Sequence, residues 1–83
     1  VLDLINTHNQ MVFAKKHIDK AICEANEIIK EIDDTINIVD NLTDIIDLMI
    51  LRNITYNKRK ELYNDRREVN KIISVTKDFI LKR

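Results

Sequence analysis

The chain has 83 residues with 14 basic and 14 acidic side chains, so its formal net charge is zero, and 45% of its residues are hydrophobic. The absence of Gly and Pro removes the turn chemistry of β-hairpins and favours an all-α fold, while the hydrophobic content is too high for a disordered tail. The longest apolar stretch, residues 45–51, contains Asp47 and is too short for a transmembrane segment. We therefore expect one helical domain over residues 1–83.

The first predicted element is a long helix, about residues 3–51, whose apolar residues repeat every seven positions. With Leu4 as position a, the a and d positions from residue 4 to residue 49 include only two polar side chains, Thr7 and Thr35. A period of 3.5 residues sustained this far is typical of helices that pack on other helices in a coiled coil. The predicted oligomer interface consists of the larger members of this stripe, which are Leu4, Met11, Ile18, Ile28, Ile32, Val39, Leu42, Ile46 and Met49.

The stripe is wider than a two-stranded coiled coil requires, because the e positions Ile22, Ile29, Ile36 and Ile50 are also apolar. A stripe of this width suits a helix with neighbours on more than one side. It predicts coiled-coil-like packing in an oligomeric bundle of three or more helices.

A break in this helix within residues 33–43 is an alternative, since Asn41 and Thr43 belong to the residue types that cap helices. The apolar repeat nevertheless continues in phase through Ile32, Val39 and Leu42. Because a loop would have to preserve that phase by accident, the pattern favours an unbroken helix.

A turn is predicted at about residues 52–57, where the stripe becomes polar and Asn53 and Asn57 accompany β-branched residues. Asn tolerates the left-handed conformation better than most residues, so a chain without Gly can turn there. A second, shorter helix is predicted over about residues 58–82 and packs the hairpin through Leu62, Val69, Ile72 and Phe79.

Charge is strongly polarised along the chain despite its net neutrality. Residues 27–51 hold seven acidic side chains against one lysine, a net of −6, and residues 52–83 hold ten basic against four acidic, a net of +6. An antiparallel helical hairpin would lay the basic helix beside the acidic segment and leave residues 1–26 free for partners. A single full-length helix that pairs antiparallel with another copy would satisfy the same charges, so closure within or between chains stays open.

Nucleic-acid binding through the basic C-terminal helix is one alternative function. The basic runs at residues 58–60 and 66–67 lie near Tyr56 and Tyr63, and such a surface contacts phosphates and stacks on bases. Four acidic residues in the same segment, and an acidic segment in the same chain, weigh against it.

Two glycosylation sequons, at Asn41 and Asn53, suggest another alternative, the helical stalk of an extracellular or viral envelope protein. An Asn-rich composition also produces such triplets by chance. The single Cys23 falls at position f, opposite the stripe, where an exposed free thiol is expected. A free thiol favours an intracellular location, whereas used sequons would require a secretory route.

No constellation for chemistry is apparent. His17 and Cys23 are six residues apart, which separates them around a helix, and the sequence has no Gly-rich phosphate loop. We therefore expect no catalytic, metal or cofactor site and no small-molecule substrate. The sequence predicts a non-enzymatic protein–protein interaction or oligomerisation module of a larger protein, whose partner is another copy or another helical protein.

Overall fold

The computed structural model describes residues 2–82 as two antiparallel helices. Helix α1 spans Leu2–Ile36 and helix α2 spans Leu42–Leu81. The principal extents are 63 × 14 × 14 Å and the radius of gyration is 18.5 Å, against about 12 Å for a compact chain of this length. The predicted all-α helical hairpin is confirmed, and it forms a slender rod.

The connection lies at residues 37–41, so the predicted helix over residues 3–51 and the predicted turn at residues 52–57 are wrong. The end of α1 is closed by the backbone N–H groups of Ile38 and Val39, which donate to the Thr35 carbonyl at 3.0 and 3.1 Å. Asn41 then caps α2 because its side-chain oxygen accepts the Thr43 N–H at 2.9 Å. Local capping chemistry thus outweighs the continuity of the apolar repeat.

The connection does not use a left-handed residue. No residue in the described chain has a positive φ, and Asn41 has an extended backbone with φ −80° and ψ 121°. The expectation that an Asn would turn the chain through the left-handed region is therefore also wrong.

The inner face of α1 follows the a and e positions of the repeat, rather than a and d. Val12, Ala14, Ala21 and Asp33 are half-buried at the edges of this face. The half-buried and buried side chains at the a and e positions are Leu4, His8, Met11, Lys15, Ile18, Ile22, Ala25, Ile29, Ile32 and Ile36. Their spacing alternates between four and three residues, as expected for a helix that packs along one neighbour. The d positions lie at the edge of this face, and Ile28 is 44% exposed.

The inner face of α2 keeps the same spacing without interruption, straight through the predicted turn. Its members are Ile45, Leu48, Arg52, Thr55, Arg59, Leu62, Arg66, Val69, Ile73, Thr76 and Ile80. Five of these eleven residues are polar, and for that reason the apolar pattern alone does not reveal the stripe. Arginine and threonine fit a helix interface because their methylene and methyl groups pack there while the polar atoms find partners at its edge.

The hairpin buries few side chains completely. In the described chain the buried hydrophobic residues are Ile22, Ala25, Ile29 and Ile32, all on α1, joined by Thr76 of α2. The four α1 residues lie between the middle of the rod and the connection, whereas Thr76 lies toward the open end of the rod, opposite the connection. Because α2 runs back along the whole of α1, residues 3–26 pack against the basic part of α2, contrary to the expectation that they project freely.

Candidate interaction surfaces

Three arginines, seven residues apart on α2, form a ladder along one edge of the helix interface. Arg52 Nη1 donates to Asp33 Oδ1 at 2.7 Å, and Arg66 Nη1 lies 3.4 Å from Asp19 Oδ1. Between them, Arg59 Nη1 donates to Asn26 Oδ1 at 2.8 Å. Each step of seven residues down α1 is matched by a step of seven up α2, so the arginine ladder fixes the antiparallel register of the two helices.

Two tyrosines cover the arginine ladder. The Arg59 guanidinium carbon lies 5.0 Å from the centre of the Tyr56 ring and 6.0 Å from that of Tyr63. Arg66 lies 5.1 Å from the centre of the Tyr63 ring. Cation–π attraction holds these side chains against one another, so the tyrosine faces are partly occupied within the chain. This arrangement reduces what the tyrosines offer to nucleobases.

Thr76 is the buried polar residue of the interface, with 5% of its surface exposed. Its hydroxyl donates to the carbonyls of Ile72 and Ile73 at 2.8 and 3.1 Å, and its oxygen lies 2.9 Å from His8 Nδ1. With the single hydroxyl proton assigned to the carbonyls, we assign His8 Nδ1 as the donor to the Thr76 oxygen. This hydrogen bond gives both polar side chains a partner within the helix interface, near the open end of the rod.

On the side opposite the arginine ladder, the two helices expose an apolar flank. A shallow groove with a volume of about 310 Å³ lies there. Its lining is mainly apolar and consists of Ala21, Glu24, Ala25, Ile28, Ile54, Thr55, Lys58 and Leu62. Ile54 is 60% exposed and Ile28 44%. The same heptad columns carry further apolar residues, Ala14 on α1 and Leu51, Ile72, Val75 and Phe79 on α2, with the charged residues Glu61, Asp65 and Glu68 between them on α2.

The first turns of α2, residues 42–54, carry apolar side chains around the whole circumference of the helix. Only Ile45 and Leu48 of this segment turn their apolar side chains toward α1. The others are exposed at relative areas from 47% to 71%, and they are Leu42, Ile46, Met49, Ile50, Leu51 and Ile54. A helix that is apolar on all sides is normally buried on all sides. In the hairpin, α1 covers only one side of residues 42–54.

The fold separates charge along the rod, although Arg52–Asp33 and Arg66–Asp19 form ion pairs across the helices. The turn half, residues 27–57, has seven acidic and two basic residues, a net of −5. The described part of the open half, residues 2–26 and 58–82, has eleven basic and seven acidic residues, a net of +4. The expected pairing of the basic helix with residues 27–51 is therefore wrong, because the earlier turn places that helix beside the N-terminal half of α1.

The predicted interface residues separate into two groups. The hairpin itself uses the first group, Leu4, Met11, Ile18, Ile32 and Val39, which are half-buried or buried. The second group is exposed, and it comprises Ile28, Leu42, Ile46 and Met49. The predicted stripe is thus divided between the hairpin interface and the exposed surface, which sequence spacing alone did not distinguish.

The residues predicted to pack the hairpin also divide. Leu62 and Val69 lie on the inner face of α2, as expected. Ile72 and Phe79 do not, since they are 41% and 55% exposed on the apolar flank. Ile73, Thr76 and Ile80 take their places inside. The alternation of four and three residues that runs from Leu48 to Leu62 continues to these three residues. It predicts them as inner-face residues once Arg52, Thr55 and Arg59 are counted as interface positions.

The remaining candidate residues lie on the surface. Asn41 and Asn53 are exposed, and the Asn41 side chain is engaged in the helix cap. Cys23 is a free, exposed cysteine, which confirms its predicted position. His17 lies outside the helix interface and packs its ring edge-to-face on Phe13, with 4.7 Å between the ring centres.

Residues 2–82 contain no group of three or more His, Cys, Asp or Glu side chains arranged to hold a metal ion. Within the same residues, neither helix has an apolar segment of the length and hydropathy that crossing a bilayer demands.

The fold and its surfaces define a class, the antiparallel two-helix hairpin with an uncovered apolar flank. No protein-family model, curated protein or solved structure shows significant similarity to this chain. The functional argument therefore rests on the surfaces described above.

Proposed function

We propose that this chain is a non-enzymatic protein–protein interaction module that oligomerises by burying its apolar flank against other helices. The imbalance between covered and uncovered apolar side chains supports the proposal. Among the described residues, four hydrophobic side chains are buried and sixteen large ones are exposed. Exposed apolar surface that is contiguous, as it is around the groove between Ile28 and Ile54, marks interaction sites on proteins.

The energetics favour association for so slender a rod. Full burial of an Ile or Leu side chain contributes about 1.5–3 kcal/mol, and Ile28, Leu51 and Ile54 are each about half exposed. Burying these three would therefore add roughly 1 kcal/mol per side chain. Domains of this size seldom derive enough stability from one small core, and oligomerisation is a common remedy.

The shape of the flank favours a helix as the partner. Ala14 and Ala21 are small, so another helix can approach α1 closely along them, and Ile28 and Ile54 project on either side of the groove. A helix that lies in this groove would complete a bundle of three or four helices.

The experiment is to compare the mass in solution of the native chain with that of Ile54→Asp across a micromolar concentration series. We expect a concentration-dependent oligomer for the native chain and a monomer for Ile54→Asp, because the substitution places an unpaired charge in the interface. Ile38→Asp is the matched control, since Ile38 is 79% exposed in the connection and lies off the flank. A native chain that stays monomeric and helical throughout would contradict the proposal.

Nucleic-acid binding is a second candidate, favoured by the positive open half of the rod. An open groove there is lined by Tyr63, Arg66, Arg67, Asn70 and Lys71. Against it, Arg66 already faces Asp19 within the chain. A binder would retain an oligonucleotide at low salt and release it steeply as salt rises, and Arg67→Gln would weaken retention. Indifference to Arg67→Gln would remove this candidate.

A further inference from the structure

Four residues on the exposed edge of α2 are arranged symmetrically about the middle of the helix. Leu51, Lys58, Asp65 and Ile72 follow one another at intervals of seven, so they lie in one column along the apolar flank. The centre of Leu42–Leu81 falls between residues 61 and 62. Leu51 and Ile72 are equally distant from that centre, and so are Lys58 and Asp65. Within these four, the two apolar residues are counterparts and the cation has an anion as its counterpart, whereas Phe79, the next residue of the column, has Asp44 as its counterpart.

We propose that the partner of the apolar flank is a second copy of this chain, docked antiparallel across α2 with a two-fold axis near residues 61 and 62. This inference rests on the proposed function and specifies its partner. In an isologous contact, residue i of one copy meets residue j of the other, and j meets i. Leu51 then meets Ile72 of the second copy, and Lys58 meets its Asp65, each contact occurring twice.

The distribution of charge along the rod supports the antiparallel orientation. This orientation places the turn half of one copy, with its net charge of −5, beside the open half of the other, with +4 among the described residues. A parallel orientation would place like charge beside like charge along the whole contact. Complementary potentials of this kind select orientation even where each pair of charges is weak.

Both members of the proposed ion pair are accessible for it. Asp65 is exposed, and Lys58 Nζ lies 3.7 Å from Glu61 Oε2 with both side chains 69% exposed. An i,i+3 contact at this exposure holds Lys58 only loosely. Ile54 stands beside this column and contributes the apolar cover that an interface requires around a partly desolvated ion pair.

A charge swap tests the register. Lys58→Asp and Asp65→Lys are each expected to weaken association about tenfold, because each variant brings like charges together twice per dimer. The double variant Lys58→Asp/Asp65→Lys restores opposite charges and is expected to return association to within about twofold of native. Far-UV circular dichroism of each variant checks that the helices persist. The register would be overturned if the double variant associates as weakly as the single variants, or if the single variants associate as strongly as the native chain.

Energy transfer between labelled copies tests the orientation. In a Cys23→Ser background, one copy carries a donor at Asp40→Cys, beside the turn, and the other an acceptor at Asp78→Cys, near the open end. These positions are about 55 Å apart within one chain at 1.5 Å per residue, but the antiparallel dimer brings them together between copies. Efficient transfer between these labels supports the proposal. Efficient transfer between two copies that are both labelled at Asp40→Cys would overturn it.

The two proposals fail differently. Suppose that Ile54→Asp abolishes association, but the double charge-swap variant stays weak and energy transfer occurs between two Asp40→Cys labels. The flank then still associates, but not in this register or orientation. If the native chain remains monomeric, both proposals fail.

Discussion

Arg52 Nη1 donates to Asp33 Oδ1 across 2.7 Å, linking the fourth turn of α2 to the last turns of α1 close to the connection. The hydrogen bond to Asp33 raises the pKa of the Arg52 guanidinium above its ordinary value. A raised pKa contributes stability that is present below the unfolded pKa and is lost only as the pH rises through the folded pKa. Since both values lie far above neutrality, this arginine should give no change in melting temperature between pH 6 and 8.

The middle rung of the arginine ladder is the one that lacks a carboxylate. Asn26→Asp is expected to stabilise the hairpin by about 0.2–1 kcal/mol, because Arg59 Nη1 already lies 2.8 Å from Asn26 Oδ1 and would gain an ion pair. The measurement is the free energy of urea unfolding at low and high salt, and the gain should shrink with added salt. Asn53→Asp is the control, because Asn53 is exposed and has no basic residue three or four positions away. An equal gain in the control would mean that the ladder geometry is not the cause.

Two neighbouring isoleucines should respond very differently to truncation. Ile32 is 4% exposed, so Ile32→Ala is expected to cost about 2–5 kcal/mol and to unfold much of the hairpin. Ile28 is 44% exposed, so Ile28→Ala should leave helix content nearly unchanged while weakening self-association. Circular dichroism at a concentration that keeps the chain monomeric measures the first effect, and sedimentation measures the second. Equal helix loss in the two variants would contradict the a and e packing of α1.

The cap of α2 positions the connection. Asn41→Ala is expected to destabilise the hairpin by about 0.5–2 kcal/mol, because the Thr43 N–H loses its acceptor at 2.9 Å. Asn41→Ser keeps a capping oxygen and should recover most of the loss. Thermal melting compares the three proteins. If the alanine and serine variants melt together, the cap does not determine where α2 begins.

The His8–Thr76 contact should behave as a coupled pair. Thr76→Val removes the acceptor for His8 Nδ1 at 2.9 Å and is expected to cost about 1 kcal/mol. His8→Leu/Thr76→Val removes both polar groups and should regain that cost, since an apolar pair leaves nothing unsatisfied in the interface. Urea unfolding of the native chain, both single variants and the double variant provides the coupling energy. Additive single effects would show that the two side chains act independently.

The sequence by itself determined the helical class and favoured an antiparallel hairpin, while leaving open whether the hairpin closes within one chain or between chains. Without Gly and Pro, and with apolar residues every three or four positions, the chain forms helices whose stripes must pack on one another. It also placed Leu62 and Val69 inside and Cys23 outside, because helical spacing assigns residues to faces without reference to a neighbour.

Only the tertiary structure decided where the chain turns and which side of the wide stripe α2 covers. Most a, d and e positions of α1 are apolar, so spacing alone could not show that the e positions face α2 while the d positions lie at the edge of the interface. In the packing that the structure shows, Arg52, Arg59 and Arg66 lie where Asp33, Asn26 and Asp19 accept their hydrogen bonds. Such contacts join residues 19 to 47 positions apart, and their value depends on distance in space, which no local pattern encodes.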